Sequence, residues 1–402
     1  MATDAPVETD APVETDAPVD TSVATDAPAA GGSTDGSMPD DPMSAEDAAA
    51  VDEASAEILT LLDAYGATAL YVGVWDPETG AYIAAYGDAA SGGPAATVDD
   101  SFRIGSITKT ATATVILQLV DEGALSLDDT VADVLPDLAS EYPDVADITV
   151  QQLLSMTSGI ADYLNAPDTL VAAVVEDPAR VWEAEELISS GINGGVSGAG
   201  TPGYSTTNYI ILQLMAEDLT GMSLADAIAD RVAEPLGMEH FFLPPNDDTT
   251  LPDPAAAGYV AGLCLDEMDA VGASLDADTE TTDWNASYGQ GGGGITATIS
   301  DLGIWAGSTV GTSTLSDELA ATRQTYAPVE ANLDYGLGII ENGSWIGHTG
   351  EVLGWEAAAF RNPDTGVTVA FAAKGCGGVF QGFLGIMETL YPGTGALTML
   401  GL

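Results

Sequence analysis

The sequence predicts an α+β protein. Its N- and C-terminal segments are expected to form an antiparallel β-sheet flanked by helices, with an all-α domain inserted between them. Three observations lead there. Strand-like runs lie near both ends of the chain, "ATALYVGVWD" and "GAYIAAYGD" at 67–88 and several after the Gly-rich "GQGGGGITAT". Helix-period apolar patterns dominate 107–240. Hydrophobic residues make up 46% of the chain, enough for a large core, yet no run reaches the roughly 18 apolar residues of a membrane span.

The elements follow in order. Residues 3–20 repeat TDAPVE, TDAPVE, TDAPVD, and TDAPAA follows at 25–30. This stretch, up to Met43, has acids but no bases, so 1–43 is expected to be a disordered acidic tail, either a tether or a passive end. The body, 44–402, opens with N-cap Ser44 and Asp47 three residues on, and its helix runs to about Tyr65. Pro77-Glu78-Thr79-Gly80 joins the first two strands. One helix spans Ser106 to Gly123 and another starts at Thr149. "NYIILQLMAEDLTG" gives a third, ending at Gly221, and a fourth runs from N-cap Ser223 to Pro235. Hairpins turn at Asn342-Gly343 and at 362–366, and an amphipathic helix covers about 378–390. Residues 44–105 and 290–402 would then form an α/β part and 106–289 a mainly helical part. A cleft between them is the expected site.

The charge excludes some functions. With 63 acidic and 7 basic residues the formal net charge is -56. Such a field repels nucleic acid and anionic membrane surfaces. Adaptation to a salty or acidic medium and simple solubility both account for it. Cys264 and Cys376 are too few for a disulfide framework and are read as either one bridge or two free thiols. Neither sits in a CxxC or beside a His, so no metal site is expected. The start, Met1-Ala2-Thr3-Asp4, has no basic n-region or apolar h-region.

The chain has only two lysines, and one stands in "FRIGSITKTATA". A serine hydroxyl needs a base to attack a carbonyl. Lys109 lies three residues after Ser106, on the same helix face, and becomes a base if burial lowers its pKa. The plainer reading is an N-cap serine followed by a solvated lysine. Tyr204, in "GTPGYSTTNY" before a helix, can carry a proton if cations lower its pKa. His348, in "WIGHTGEVLGW", lies between two strands. His240 reads as structural.

These stretches resemble, in the same order, the serine-reactive, penicillin-recognising hydrolases. More narrowly they are similar to D-alanyl-D-alanine carboxypeptidases, class C β-lactamases and their esterase relatives. "FRIGSITKTATATVILQLVDEGALSLDDTV" resembles the first motif and its helix, "ITVQQLLSMTSGIADY" the "LL…TSG" segment, "PGYSTTNYIILQL" the second-motif region, and "GHTGEVLGW" the third motif in its histidine form. "GGGGITATISDLGIW" resembles the stretch before the last strands. The resemblance covers roughly 50–395 and implies a β-lactamase/transpeptidase-like fold.

It also implies roles. Ser106 would attack and form an acyl-enzyme, Lys109 would take its proton, Tyr204 would relay protons, and His348 would tune the electrostatics around Tyr204. Thr206, Thr349, Gly350 and Glu351 would line the substrate site, with the N–H groups of Ser106 and Glu351 as oxyanion hole. No metal or organic cofactor is implied. The expected partner is a small-molecule or peptide substrate, and the expected protein is an extracellular or cell-envelope monomer.

The sequence departs from the family twice. The second motif, usually Y-x-N, is Tyr204-Ser205-Thr206, and threonine offers one donor where asparagine offers two and an acceptor. Asn208, two residues on, would point elsewhere. Where the carboxypeptidases carry a carboxylate-binding arginine after "YGLG", this chain has Ile340 and Glu341, and Glu351 follows H-T-G. These acids disfavour a C-terminal carboxylate. Carboxylesterase activity, or peptidase action on a neutral or cationic substrate, gains ground over carboxypeptidase action. The rival from another class is a non-catalytic binding protein of the same fold. An α/β-hydrolase would need G-x-S-x-G, which is absent.

Overall fold

The computed structural model describes residues 38–63, 67–165, 170–260, 275–276, 279–375 and 379–401. The TDAPVE repeats and both cysteines lie outside them, and so do the expectations about a tail there and about a disulfide.

The core is an eight-stranded antiparallel sheet drawn from both ends of the chain. In chain order the strands are β1 (Ala69–Asp76), β2 (Gly80–Gly87), β3 (Phe102–Arg103), β4 (Tyr259–Val260), β5 (Thr279–Glu280), β6 (Thr296–Ala297), β7 (Ala327–Glu330), β8 (Leu333–Tyr335), β9 (Ile340–Asn342), β10 (Trp345–Val352), β11 (Trp355–Arg361) and β12 (Thr368–Lys374). The large sheet runs β2-β1-β12-β11-β10-β9-β8-β7. N-terminal β1 pairs with C-terminal β12, from Ala69 opposite Lys374 to Trp75 opposite Thr368. β3 and β6 form a separate small pair. Every residue of β12 is buried, as a strand covered on both faces requires, whereas edge strand β2 alternates buried and half-buried positions.

Helices cover the sheet. Ala45–Asp63 packs on Val379–Leu390, and Ile299–Gly307 packs on β12, β11 and β1. The Trp75 indole fits there because its neighbours are glycines. A Cβ on Gly303 would lie 2.0 Å from the ring, and one on Gly73 2.3 Å. Both hairpins turn where the sequence places them, with Trp345 opposite Asn342 and Arg361 opposite Thr368. The "LDYGLG" run is not one arm of a hairpin. It breaks at Gly336–Gly338 into β8 and β9, and Gly338 adopts φ 76.

Between the two strand regions the chain is mainly helical. Thr149 caps Val150–Leu154 with a reciprocal bond to Gln152, and Gly221 ends Thr207–Thr220 in the left-handed conformation. Two boundaries differ from expectation. The helix capped by Ser223 does not stop at Pro235. It passes through a π-helical stretch, Ala229–Ala233, and Pro235 then sits in the first turn of Glu234–Leu236, where its missing N–H costs nothing. The body also starts before Ser44, because Met43 N–H and Asp41 C=O pair with Ala81 on β2 at 2.8 Å each and Met43 is buried.

Candidate active site

Ser106 lies in a tight 3₁₀ turn, Gly105–Ile107, just before the helix Thr108–Asp121. Neither helix start has a side-chain cap, so the hydroxyl is not used as an N-cap. Two glycines bring this turn against β10. Gly105 has φ 51, and a Cβ on it would meet Glu351 N at 2.6 Å. A Cβ on Gly350 would meet Ile104 O at 1.9 Å and Ser106 N at 2.9 Å. Larger side chains would push apart the backbone N–H groups of Ser106 and Glu351.

Lys109 is fully buried. Its Nζ donates to Ser106 Oγ at 2.9 Å and to Gly292 O at 2.7 Å. Burial pulls its pKa down to about 7, against a smaller upward pull from the charge of Asp162. The ammonium lies 5.1 Å from the Tyr204 ring centre and 5.8 Å from that of Tyr209. The Gly-rich run is the other wall. Thr112 Oγ1 donates to Gly291 O at 2.7 Å, and Gly291 N–H donates to Gln213 Oε1 at 2.9 Å. A Cβ on Gly292 would meet the Thr206 methyl at 2.4 Å.

Tyr204 is half-buried, and its side chain lies near enough to Ser106 for the serine to act on its pKa. Burial raises its pKa well above the ordinary value, and Ser106 only partly offsets this. The sequence-based idea that cations lower it is therefore corrected: burial and the nearby Asp162 and Glu330 raise it, and Tyr204 stays a neutral phenol.

His348 is buried on β10 and does not reach Ser106 through a hydrogen bond. Its Nδ1 bonds Thr349 O and its Nε2 bonds Tyr335 OH at 3.0 Å. Those partners fix the tautomer, with Nδ1–H donating and Nε2 accepting from the tyrosine. Burial lowers its pKa to about 3, so the ring is uncharged near neutral pH. Tyr335 stands beside both His348 and Tyr204, its ring edge-on to each at 5.7 and 6.0 Å. Tyr209, next to Tyr335, donates its hydroxyl to Leu154 O at 3.1 Å.

The remaining candidates separate. Thr349 is half-buried and Glu351 exposed on β10, with Gly350 buried between them. Thr206 is buried, and its Oγ1 donates to Asp162 Oδ2 at 3.3 Å. Asn208 does point elsewhere, bonding Ser158 Oγ at 2.7 Å and Leu153 O at 3.2 Å. Ile340 belongs to the core. Arg323, at the start of this region, is fully buried and bonds Leu337 O, Thr114 Oγ1 and Thr110 O, all neutral acceptors. His240 is exposed and donates its backbone N–H to Asp301. Among the described residues no group of three or more His, Cys, Asp or Glu is placed to hold a metal ion.

Sequence reading missed Asp162, Tyr335 and Arg323. Asp162 stands in a stretch quoted for another motif. Arg323 carried the signal that exposed Lys109, a base in a chain with seven.

A serine bonded by a buried lysine with a tyrosine beside it, against strand β10 of an antiparallel sheet with helices around it, defines the class: a protein of β-lactamase/transpeptidase-like fold. The family model described as Beta-lactamase matches residues 50–382, and the chain belongs to that family. Penicillin-binding protein 4 of Amycolatopsis lactamdurans is 38% identical over 184 residues, 44% of this chain and 43% of that protein. The D-aminopeptidase of Brucella anthropi is 29% identical over 67% of this chain and 48% of its own length. The chain thus aligns with less than half the length of these two relatives. Among solved structures, a D-stereospecific amidohydrolase from Streptomyces sp. superposes with a TM-score of 0.74 at 24% identity, covering 85% of this chain and 98% of that one.

Proposed function

We propose that the protein is a serine hydrolase that forms an acyl-enzyme on Ser106 and cleaves an ester or amide. The observation that carries this reading is a desolvated Lys109, with a pKa near 7, bonded to Ser106 Oγ at 2.9 Å. Neutral Lys109 accepts the Ser106 proton as Oγ bonds to the carbonyl carbon. Tyr204, a phenol in its resting state, passes a proton to the leaving group and recovers it from the deacylating water, whose oxygen bonds to the acyl carbon. As the carbon–Oγ bond breaks, Lys109 returns its proton to Ser106 Oγ. The N–H groups of Ser106 and Glu351 receive the developing oxyanion, each worth about 3–4 kcal/mol in other enzymes. His348, uncharged, acts as a hydrogen-bonding support rather than as a cation.

The preferred substrate bears an amine, as in a D-amino-acid amide or N-terminal D-peptide, rather than a free C-terminal carboxylate. Glu351 beside the Ser106 turn and Glu330, whose carboxylate accepts from Tyr204 N–H at 3.3 Å, make the surroundings anionic. The names of the aminopeptidase and amidohydrolase relatives agree with that preference.

One panel in high salt tests it: a D-amino-acid amide, a p-nitrophenyl ester, a D-alanyl-D-alanine peptide and a chromogenic cephalosporin. The amide and the ester are expected to turn over, and Ser106→Ala to abolish this. Equal turnover by folded Ser106→Ala overturns the mechanism. No turnover by the folded wild type favours a binding protein.

A further inference from the structure

The second motif lacks its amide, and the structure has a different group in its place. Thr206 donates its hydroxyl to the Asp162 carboxylate, at 3.3 Å. Leu164 N–H donates to the other oxygen of that carboxylate, Oδ1, at 3.1 Å. Asp162 is 8% exposed, so these bonds fix a nearly buried acid. The methyl of Thr206 and the ammonium of Lys109 both border Gly292, at 2.4 and 3.7 Å from its Cβ position.

We propose that Asp162 is a positioning residue for the base: oriented by Thr206, it takes over from the missing second-motif amide and sets the protonation of Lys109. This rests on the reading of Lys109 as the base. The physics is a balance of two opposed effects. Burial disfavours the ammonium, and an ionised Asp162 favours it. Asp162 is the acid whose charge acts on Lys109, and its own carboxyl is held above the ordinary range by burial, against the pull of Lys109 and of its donors Thr206 Oγ1 and Leu164 N–H. The two groups therefore titrate as a pair. The other groups facing them are Tyr204 and Tyr163, both held protonated by burial, and the uncharged His348. Tyr209, its ring centre 5.8 Å from the ammonium, is likewise held protonated by burial. The carboxylates of Glu330, bonded to Tyr204 N–H, and Glu351, beside the Ser106 turn, are the other acids of the site, and of these acids it is Asp162 whose charge acts on Lys109.

The chain's two lysines make a direct test practical. Protein carrying ¹³C at lysine Cε gives two NMR signals, and the one lost in Lys109→Met belongs to Lys109. Asp162→Asn keeps the shape and removes the charge. The Lys109 midpoint is expected to fall by about one pH unit. The acid limb of Ser106 labelling by a fluorophosphonate should move down with it. Thr206→Val should shift both the same way by less, because loss of its hydroxyl favours neutral Asp162, and should add nothing when combined with Asp162→Asn. A midpoint that stays put or rises in folded Asp162→Asn overturns the proposal. If that variant does not fold, an unmoved midpoint in Thr206→Val does so instead. Wild type unlabelled at every pH would sink the hydrolase reading, while the NMR midpoints would still decide this one.

Discussion

The surface and the interior of this protein treat positive charge in opposite ways. On the surface Arg180 pairs with Glu186 and Arg231 with Glu122, each an exposed acid. Inside, Arg103, Lys109, Arg323 and Lys374 are all at most 2% exposed, and among the described residues none forms an ion pair. Their hydrogen bonds go to neutral oxygens. Arg103 bonds the carbonyls of Thr249 and Trp284, and Lys374 bonds Asp88 O at 2.8 Å beside the Tyr259 ring. A surface pair in water contributes little, roughly 0–1 kcal/mol. A buried cation is costly to desolvate, so it persists only where dipoles are already aimed at it. The difference teaches that scarcity of bases in this chain marks sites whose acceptors are built around them.

Breaking the interior side should give the larger effects. If Lys109 is the base, as proposed, Lys109→Met should slow Ser106 acylation by about 10²–10⁴-fold in a stopped-flow assay. In the wild type the acylation rate should rise with pH through about 7, because only deprotonated Lys109 accepts the proton and burial brings its pKa there. A rate that falls through that window breaks the assignment.

Arg323→Met leaves Leu337 O without its side-chain donor and removes two further charge-assisted bonds, to Thr114 Oγ1 and to Thr110 O, which keeps Thr114 Oγ1 as a donor. Charge-assisted bonds contribute about 1.5–3 kcal/mol each, so urea unfolding should show a loss of about 3 kcal/mol or more. The matching surface change, Arg231→Gln, should cost less than about 1 kcal/mol. Equal losses would erase the contrast.

Tyr335→Phe strips His348 Nε2 of its donor. An unsatisfied buried acceptor costs about 1–3 kcal/mol, so urea unfolding should show a loss of that size. The smallest effect concerns the surface alone. Added NaCl screens the repulsion of a -56 chain, and the melting temperature should rise with salt.

Much of the fold was legible because it rests on local chemistry. Asn342-Gly343 and 362–366 turn as their residues demand, and Thr149 and Ser223 cap the helices that follow them. The first motif was legible for the same reason, since a three-residue spacing on a helix start settles whether Lys109 reaches Ser106. What stayed hidden depends on distant partners. Thr206 meets Asp162 across 44 residues and Arg323 meets Thr110 across 213, and no local pattern encodes such contacts. The direction of the Tyr204 shift was hidden too, because desolvation depends on the packed surroundings. Pro235 misled because a proline that ends one helix can equally open the next turn.

The central claim is that Ser106 is a nucleophile activated by a neutral, buried lysine. Incubation with a fluorophosphonate, followed by intact mass and peptide mapping across pH 5–9, tests it most directly. The account predicts one adduct, on Ser106, forming faster as pH rises through about 7, and no adduct in Ser106→Ala. An adduct on another residue, or labelling that Ser106→Ala leaves unchanged, would contradict it.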